Sequence, residues 1–272
     1  MPLRESLDPD SSLWHWIAVD LHFYRTKHNL SCAQLGQVLR CARQTVSNME
    51  AARPGWRLDD DQAKALDKLW DLNGHFRRLL RYARAGHDPD WFKQHVTYEA
   101  RATVLKTYAS MIVPGLLQTE AYARAWLVAG QAVKDIDAAV EIRMARQNIL
   151  NKEEPPLLWV LLDECVLDRP MGGRKVMKEQ LTRLLELSEL PHLTIRVVPR
   201  AAGGHLGLEG PFIITTVTEG DVAYLEACGG GRLSTDKAEV RRFGVRFDRI
   251  GALALPTDAS RNFIANVMET MT

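Results

Sequence analysis

The chain has no apolar run approaching the roughly 18 residues that a bilayer span requires. Cysteine is scarce: four in 272 residues, at Cys32, Cys41, Cys165 and Cys228, none in a CxxC. That scarcity argues for reduced thiols in a cytoplasmic protein rather than a disulfide framework, with a Cys32–Cys41 bridge as the alternative. Net charge is almost absent, 35 basic against 34 acidic residues. Near-neutrality neither demands nor excludes nucleic acid, because a docking face can be basic locally. The first ten residues carry three acids, one arginine and no apolar stretch, unlike a secretion leader. Catalytic signatures are missing too. There is no HExxH and no GxSxG, and neither Gly203-Gly204 nor Gly229-Gly230-Gly231 leads into Gly-Lys-Thr or Gly-Lys-Ser. Those glycines read as turns or a flexible lid. Cys165 could pair with His192 or His205 as a nucleophile, but it follows a dense apolar run and reads as buried filler. Cys165, Cys228, His192 and His205 lack the short ligand spacing of a structural zinc site. The expectation is a protein without catalytic activity, metal or cofactor.

What is present is an ordinary folding composition, 46% apolar and 25% charged, long enough for two domains. The patterning divides the chain into a helical domain over residues 11–87 and a mixed α+β domain over 91–272, with turn-rich residues 86–90 between them. In the first, Trp14, Ile17, Leu21 and Tyr24 recur at helical spacing and predict a helix over 13–28. Ser31 then stands three residues before Gln34, the spacing of a capping box, and Leu35, Val38 and Leu39 supply the buried side of a short second helix. A turn over 40–42 leads to a third helix over about 42–51, with Val46 and Met49 inward and Arg43, Gln44, Thr45, Ser47 and Asn48 mostly outward; Pro54 and Gly55 stop it. Acids at 59–61 open a fourth helix with Ala63, Leu66, Leu69 and Trp70 as its packing face. Phe76, Leu79, Leu80 and Tyr82 define a fifth, whose Arg77, Arg78, Arg81 and Arg84 read as a solvated edge.

The third helix has the dimensions and polarity of one that enters a DNA major groove, where the donor and acceptor patterns distinguish all base pairs. Arginine pairs with guanine and glutamine with adenine, so Arg43 and Gln44 are candidate base readers, and Thr45, Ser47 and Asn48 can reach bases or phosphates. Between Arg25 and Arg57 lie six basic residues, Arg40 and Arg53 among them, against the single acid Glu50. That excess marks a phosphate-facing surface. The alternative is a helical bundle whose polar third helix merely faces solvent.

Leu30-Ser31, Leu35, Leu39, Thr45-Val46-Ser47 and Met49-Glu50 resemble the lambda-repressor-like (XRE-type) helix-turn-helix family. The resemblance implies a transcriptional regulator that binds operator DNA, with Arg40, Arg43, Gln44, Thr45, Ser47, Asn48 and Arg53 at the interface and Glu50 as a structural acid. Three positions depart from the family pattern: Cys32 for glutamine, Gly36 for alanine and Arg40 for the turn glycine. Arg40 must therefore either avoid the left-handed backbone region or tolerate it at a cost.

In the second half, residues 101–108 are ambiguous between strand and helix. Helices are expected over 119–129, 135–150, 172–190, 235–255 and from 257 to about 268; strands over 157–162 and 193–198, and as a pair over 212–217 and 222–226 about a turn at 219–221. The segments VPGLLQTEAYARAWL (113–127), RMARQNIL (143–150), LDECVLDRPMGG (162–173), GHLGLEGPF (204–212), VAYLE (222–226) and FDRIGALAL (247–255) resemble the DUF5753-type regulator domains found behind such helix-turn-helix modules in actinobacteria. This second resemblance implies a regulatory, dimerising domain paired with a small protein encoded nearby, antitoxin-like in some cases; a metabolite effector is the lesser alternative. Candidate partner or ligand residues are Arg143, Arg146, His205, Glu209 and Glu226. The loop over 204–210 reads equally as a binding loop or as plain surface. The two arginines are expected to hold a carboxylate, either internal (Glu164 or Glu226) or a partner's.

Overall fold

The computed structural model describes residues 7–10, 12–53, 55–84, 91–131, 133–226 and 231–271. Pro54, the expected boundary at 86–90, Cys228 and Gly229-Gly230 lie outside the described residues. The chain separates into two compact units, 1–93 with Arg232–Ser234, and 94–231 with 235–272.

The first unit is helical: α1 (Leu13–Lys27), α2 (Cys32–Val38), α3 (Arg43–Glu50), α4 (Asp60–Leu69) and α5 (His75–Arg84). Local chemistry sets its helix starts. The Ser31 hydroxyl accepts from Gln34 N while the Gln34 side chain accepts from Ser31 N, and Asp59 and Gln62 repeat this capping box ahead of α4. The Asp67 carboxylate accepts from the backbone N–H groups of Phe76 and Arg77, capping α5 from another helix. One core joins Ile17, Leu21, Leu35, Val46, Leu66 and Phe76, all at most 4% exposed. Each such side chain contributes roughly 1.5–3 kcal/mol by leaving water. Three expected core residues face solvent instead: Val38 (40% exposed), Leu69 (41%) and Tyr82 (44%). Leu35 and Leu39 suffice for so short a helix as α2. Trp70 at the end of α4 is buried as expected, stacked on Tyr24 at 5.5 Å.

The division between units falls within α6 (Trp91–Glu99). In the ambiguous 101–108 segment the chain is a strand, β1 (Val104–Ala109). There follow α7 (Glu120–Gly130), α8 (Ile136–Arg146), β2 (Leu157–Asp163), α9 (Cys165–Asp168), α10 (Arg174–Leu187), β3 (Leu193–Val198), β4 (Phe212–Val217) and β5 (Gly220–Leu225). After the short strand Arg232–Ser234 come α11 (Lys237–Gly251) and α12 (Thr257–Glu269). The sheet order is β3-β2-β1-β4-β5. β1, β2 and β3 are parallel, with helices in each crossover, whereas β4 runs antiparallel to both β1 and β5. Val217 pairs with Gly220, so the hairpin loop is Thr218-Glu219, slightly before its expected place.

Alternation along β2 explains the layers. Leu158, Val160 and Leu162 point into one core with Leu181 and Leu184 of α10 and Ile264 of α12. Leu161 points the other way, joining Tyr108, Phe212 and Ile214 beneath Val240, Phe247 and Ile250 of α11. The architecture is a mixed sheet with helices on both faces. Among the described residues no helix is long and apolar enough to cross a membrane.

Candidate nucleic-acid interface and the polar clusters of the second unit

α2 and α3 sit close because Gly36 has no side chain. A Cβ there would lie 2.7 Å from the Cys41 carbonyl oxygen, so even alanine would force a shift. Cys41 N donates to Gly36 O at 2.8 Å, fastening the turn. Arg40 adopts φ +54°, so it accepts the left-handed region in place of glycine. Cys32, Cys41 and Cys165 are free thiols.

Beneath α3, Val46 and Met49 are buried as expected. Its far end is held by charge. Glu50, 1% exposed, accepts from Arg25 Nε and, at 2.9 Å, from Arg25 Nη2; His22 Nδ1 lies 3.0 Å from its second oxygen. The Glu50 hydrogen bond raises the Arg25 pKa despite the opposing effect of burial. Arg25 also donates to Leu30 O at 2.8 Å. It is thus an internal brace and drops out of the expected phosphate-facing surface. Arg57 is likewise engaged, its guanidinium 3.9 Å from the Trp14 ring centroid.

On the outer side Arg43 and Gln44 are exposed, as are Arg40 and Arg53, while Thr45 and Ser47 are half-buried. Asn48 corrects the outward assignment: it is 5% exposed and accepts from Gln44 Nε2 at 3.1 Å. That bond uses one N–H of Gln44 and leaves the other, with its carbonyl oxygen, facing out. A bidentate contact to adenine would need those two groups, and the bond to Asn48 constrains the orientation of the Gln44 amide.

Of its five candidate residues the second unit brings Arg143, Arg146 and Glu226 within electrostatic reach of one another, while His205 and Glu209 meet other partners. Arg146 is bidentate to Glu99, both bonds 2.8 Å, and that acid is neither Glu164 nor Glu226. Arg143 donates to Gln118 Oε1 at 3.1 Å, and Gln118 in turn donates to Val113 O. Burial, then the charge of Arg146, lowers the Arg143 pKa. Glu226 reaches solvent, yet the protein around it desolvates its carboxyl and raises the pKa, with Arg143 and Arg146 pulling the other way.

His95 of α6 joins this cluster, stacked on Tyr224 at 4.2 Å and 3.6 Å from Glu99. Burial pushes its imidazole from 6.5 down to about 4. The unfolded chain therefore takes up a proton between those values that the folded chain refuses. Stability from this group is complete above pH 6.5 and declines as pH falls toward 4, by up to about 1.4 kcal/mol per unit. Urea midpoints at pH 7 and pH 5 are expected to differ less for His95→Gln than for the native chain; equal differences would contradict the assignment.

The His205 side chain is 4% exposed, so it is not a free loop group. Its Nδ1 accepts from Gly207 N at 3.1 Å, which leaves Nε2–H to face Asp163 Oδ2 at 3.3 Å. Tyr108 donates to the same carboxylate at 3.3 Å. Cys165 donates to the Ser110 carbonyl, and burial followed by Asp163 pushes its thiol up to about 11, away from the reactive thiolate. Gly207 packs flat against Tyr108, where a Cβ would lie 2.2 Å from the ring. Gly207→Ala is expected to lose about 1–3 kcal/mol in urea unfolding through overpacking; an unshifted midpoint would show that the loop yields. Glu209 pairs with Arg246 of α11.

The polar pairs of α6, β2 and the 200–210 loop were missed by sequence reading, since no local spacing links Glu99 to Arg146 or Asp163 to His205. Among the described residues no group of three or more histidine, cysteine or acidic side chains could hold a metal ion. No curated protein and no solved structure matches the chain. A sequence family does: the "Domain of unknown function (DUF5753)" matches residues 92–266. The chain thus belongs to the DUF5753 family.

Proposed function

We propose that this protein is a cytoplasmic, sequence-specific DNA-binding regulator of transcription of the lambda-repressor-like helix-turn-helix type, controlled through its second unit by a protein partner. The observation that carries the reading is the two-sided build of α3. Arg43 and Gln44 stand exposed at its start, the end whose residues reach base edges first when such a helix enters the major groove. Val46, Met49 and the Arg25–Glu50 pair hold it from below, so the readers sit on a rigid element. Arg40 and Arg53, both exposed, flank it as phosphate contacts. One such unit makes few contacts, so a homodimer on two half-sites about one helical turn apart is the natural arrangement. Gel-shift of the full chain on duplexes from its own promoter region, at stated salt, tests the reading. A complex that survives competitor DNA supports it; only salt-labile binding indifferent to sequence would contradict it.

A further inference from the structure

α11 shows solvent a stripe that its own unit leaves uncovered. Its inner side chains Val240, Phe247 and Ile250 are buried in the core. On the outer side Arg242, Val245 and Arg249 follow at helical spacing, with Arg241 beside them and Leu253 just past the helix end. Val245 is 46% exposed and Leu253 43%; on the adjoining loop Leu208 is 67% exposed. A groove of about 620 Å³ lies between the helix and that loop, with Leu206 and Val245 on its walls. Glu209 engages Arg246, but Arg241, Arg242 and Arg249 have no ion pair among the described residues.

A groove with Leu206, Phe243 and Val245 in its lining, rimmed by Arg241, Arg242 and Arg249 with Glu239 as the one acid among its described lining residues, marks an interaction surface. Its chemistry selects the occupant. Duplex DNA would satisfy the arginines but press Leu208 and Val245 against phosphates. A second copy docked about a twofold axis would set arginine against arginine. The complement is an apolar ridge with acidic flanks, which an amphipathic helix supplies from residues at i, i+3, i+4 and i+7. We propose that α11 and the 206–209 loop dock an acidic amphipathic helix of a partner protein. The proposal rests on the reading of the second unit as one that receives a protein.

The test uses the full chain and a fluorescent helical peptide of roughly 18 residues, long enough for five turns, with a leucine stripe flanked by glutamates. Controls are the same peptide with lysine for glutamate, and one with its residues shuffled to scatter the leucines. The acidic striped peptide is expected to bind at least about tenfold more tightly than either control. The triple variant R241E/R242E/R249E and the double variant L208A/V245A, each with unchanged circular dichroism, are expected to weaken it by about tenfold or more. No binding, equal binding of the shuffled peptide, or unchanged binding to the triple variant would overturn the proposal. So would a triple variant that loses duplex DNA yet keeps the peptide. Peptide binding in a chain that selects no duplex would instead sink the DNA reading and leave this surface standing.

Discussion

Replacing Arg43 and Gln44 together with alanine is expected to lower the affinity of the full chain for its specific duplex about a hundredfold or more. Each well-made bidentate contact to a base discriminates by about 1–3 kcal/mol, and in the proposed role the adjacent Arg43 and Gln44 at the start of α3 would supply two of them. Both side chains are exposed, so the fold should survive their loss. Sequence-independent binding should survive as well, because Arg40 and Arg53 remain to meet phosphates. Fluorescence anisotropy at one fixed salt concentration, against specific and shuffled duplexes, separates the two components. Asn48→Ala should produce a smaller loss through Gln44, whose amide it orients.

The largest stability effect is expected at the Arg25–Glu50 pair. Glu50→Ala leaves a guanidinium buried, 9% exposed at its side chain, with its carboxylate gone. Breaking a buried pair from one side costs about 3–5 kcal/mol, whereas replacing both partners with apolar groups of similar size costs much less. Urea unfolding of Glu50→Ala should show early loss of the first unit, and Arg25→Met with Glu50→Met should recover most of it. Equal losses in the single and double variants would show that packing, not the stranded charge, dominates. Because α3 is fastened to α1 through this pair, the proposed role predicts that Glu50→Ala also weakens DNA binding while leaving Arg43 and Gln44 in place.

What was legible in the chain beforehand was local. Ser31 and Gln34 announce a helix start three residues apart, and the structure forms the capping box their spacing implies. A dense apolar run marks β2 and β-branching marks β3, and the apolar stripes of α1, α4 and α10 place their helices within a few residues. What escaped was decided by distant partners. Arg25 counts as surface charge until Glu50, 25 residues on, is seen beside it. Asn48 looks solvent-facing until its burial under Gln44 is known. α6 gave no apolar period because the side chains it buries, His95 and Glu99, are polar and meet Tyr224 and Arg146 far along the chain. The neighbouring of β1 and β4, about a hundred residues apart, leaves no mark in the periodicity of either strand.

The most direct measurement is selection of bound duplexes from a randomised library by the native chain and by Arg43→Ala and Gln44→Ala singly. If the outer face of α3 reads bases, the native chain enriches a defined site, and each variant loses its preference at one or two neighbouring positions while keeping the rest. Identical preferences in all three chains, or no enriched site from the native chain, would contradict that role for α3.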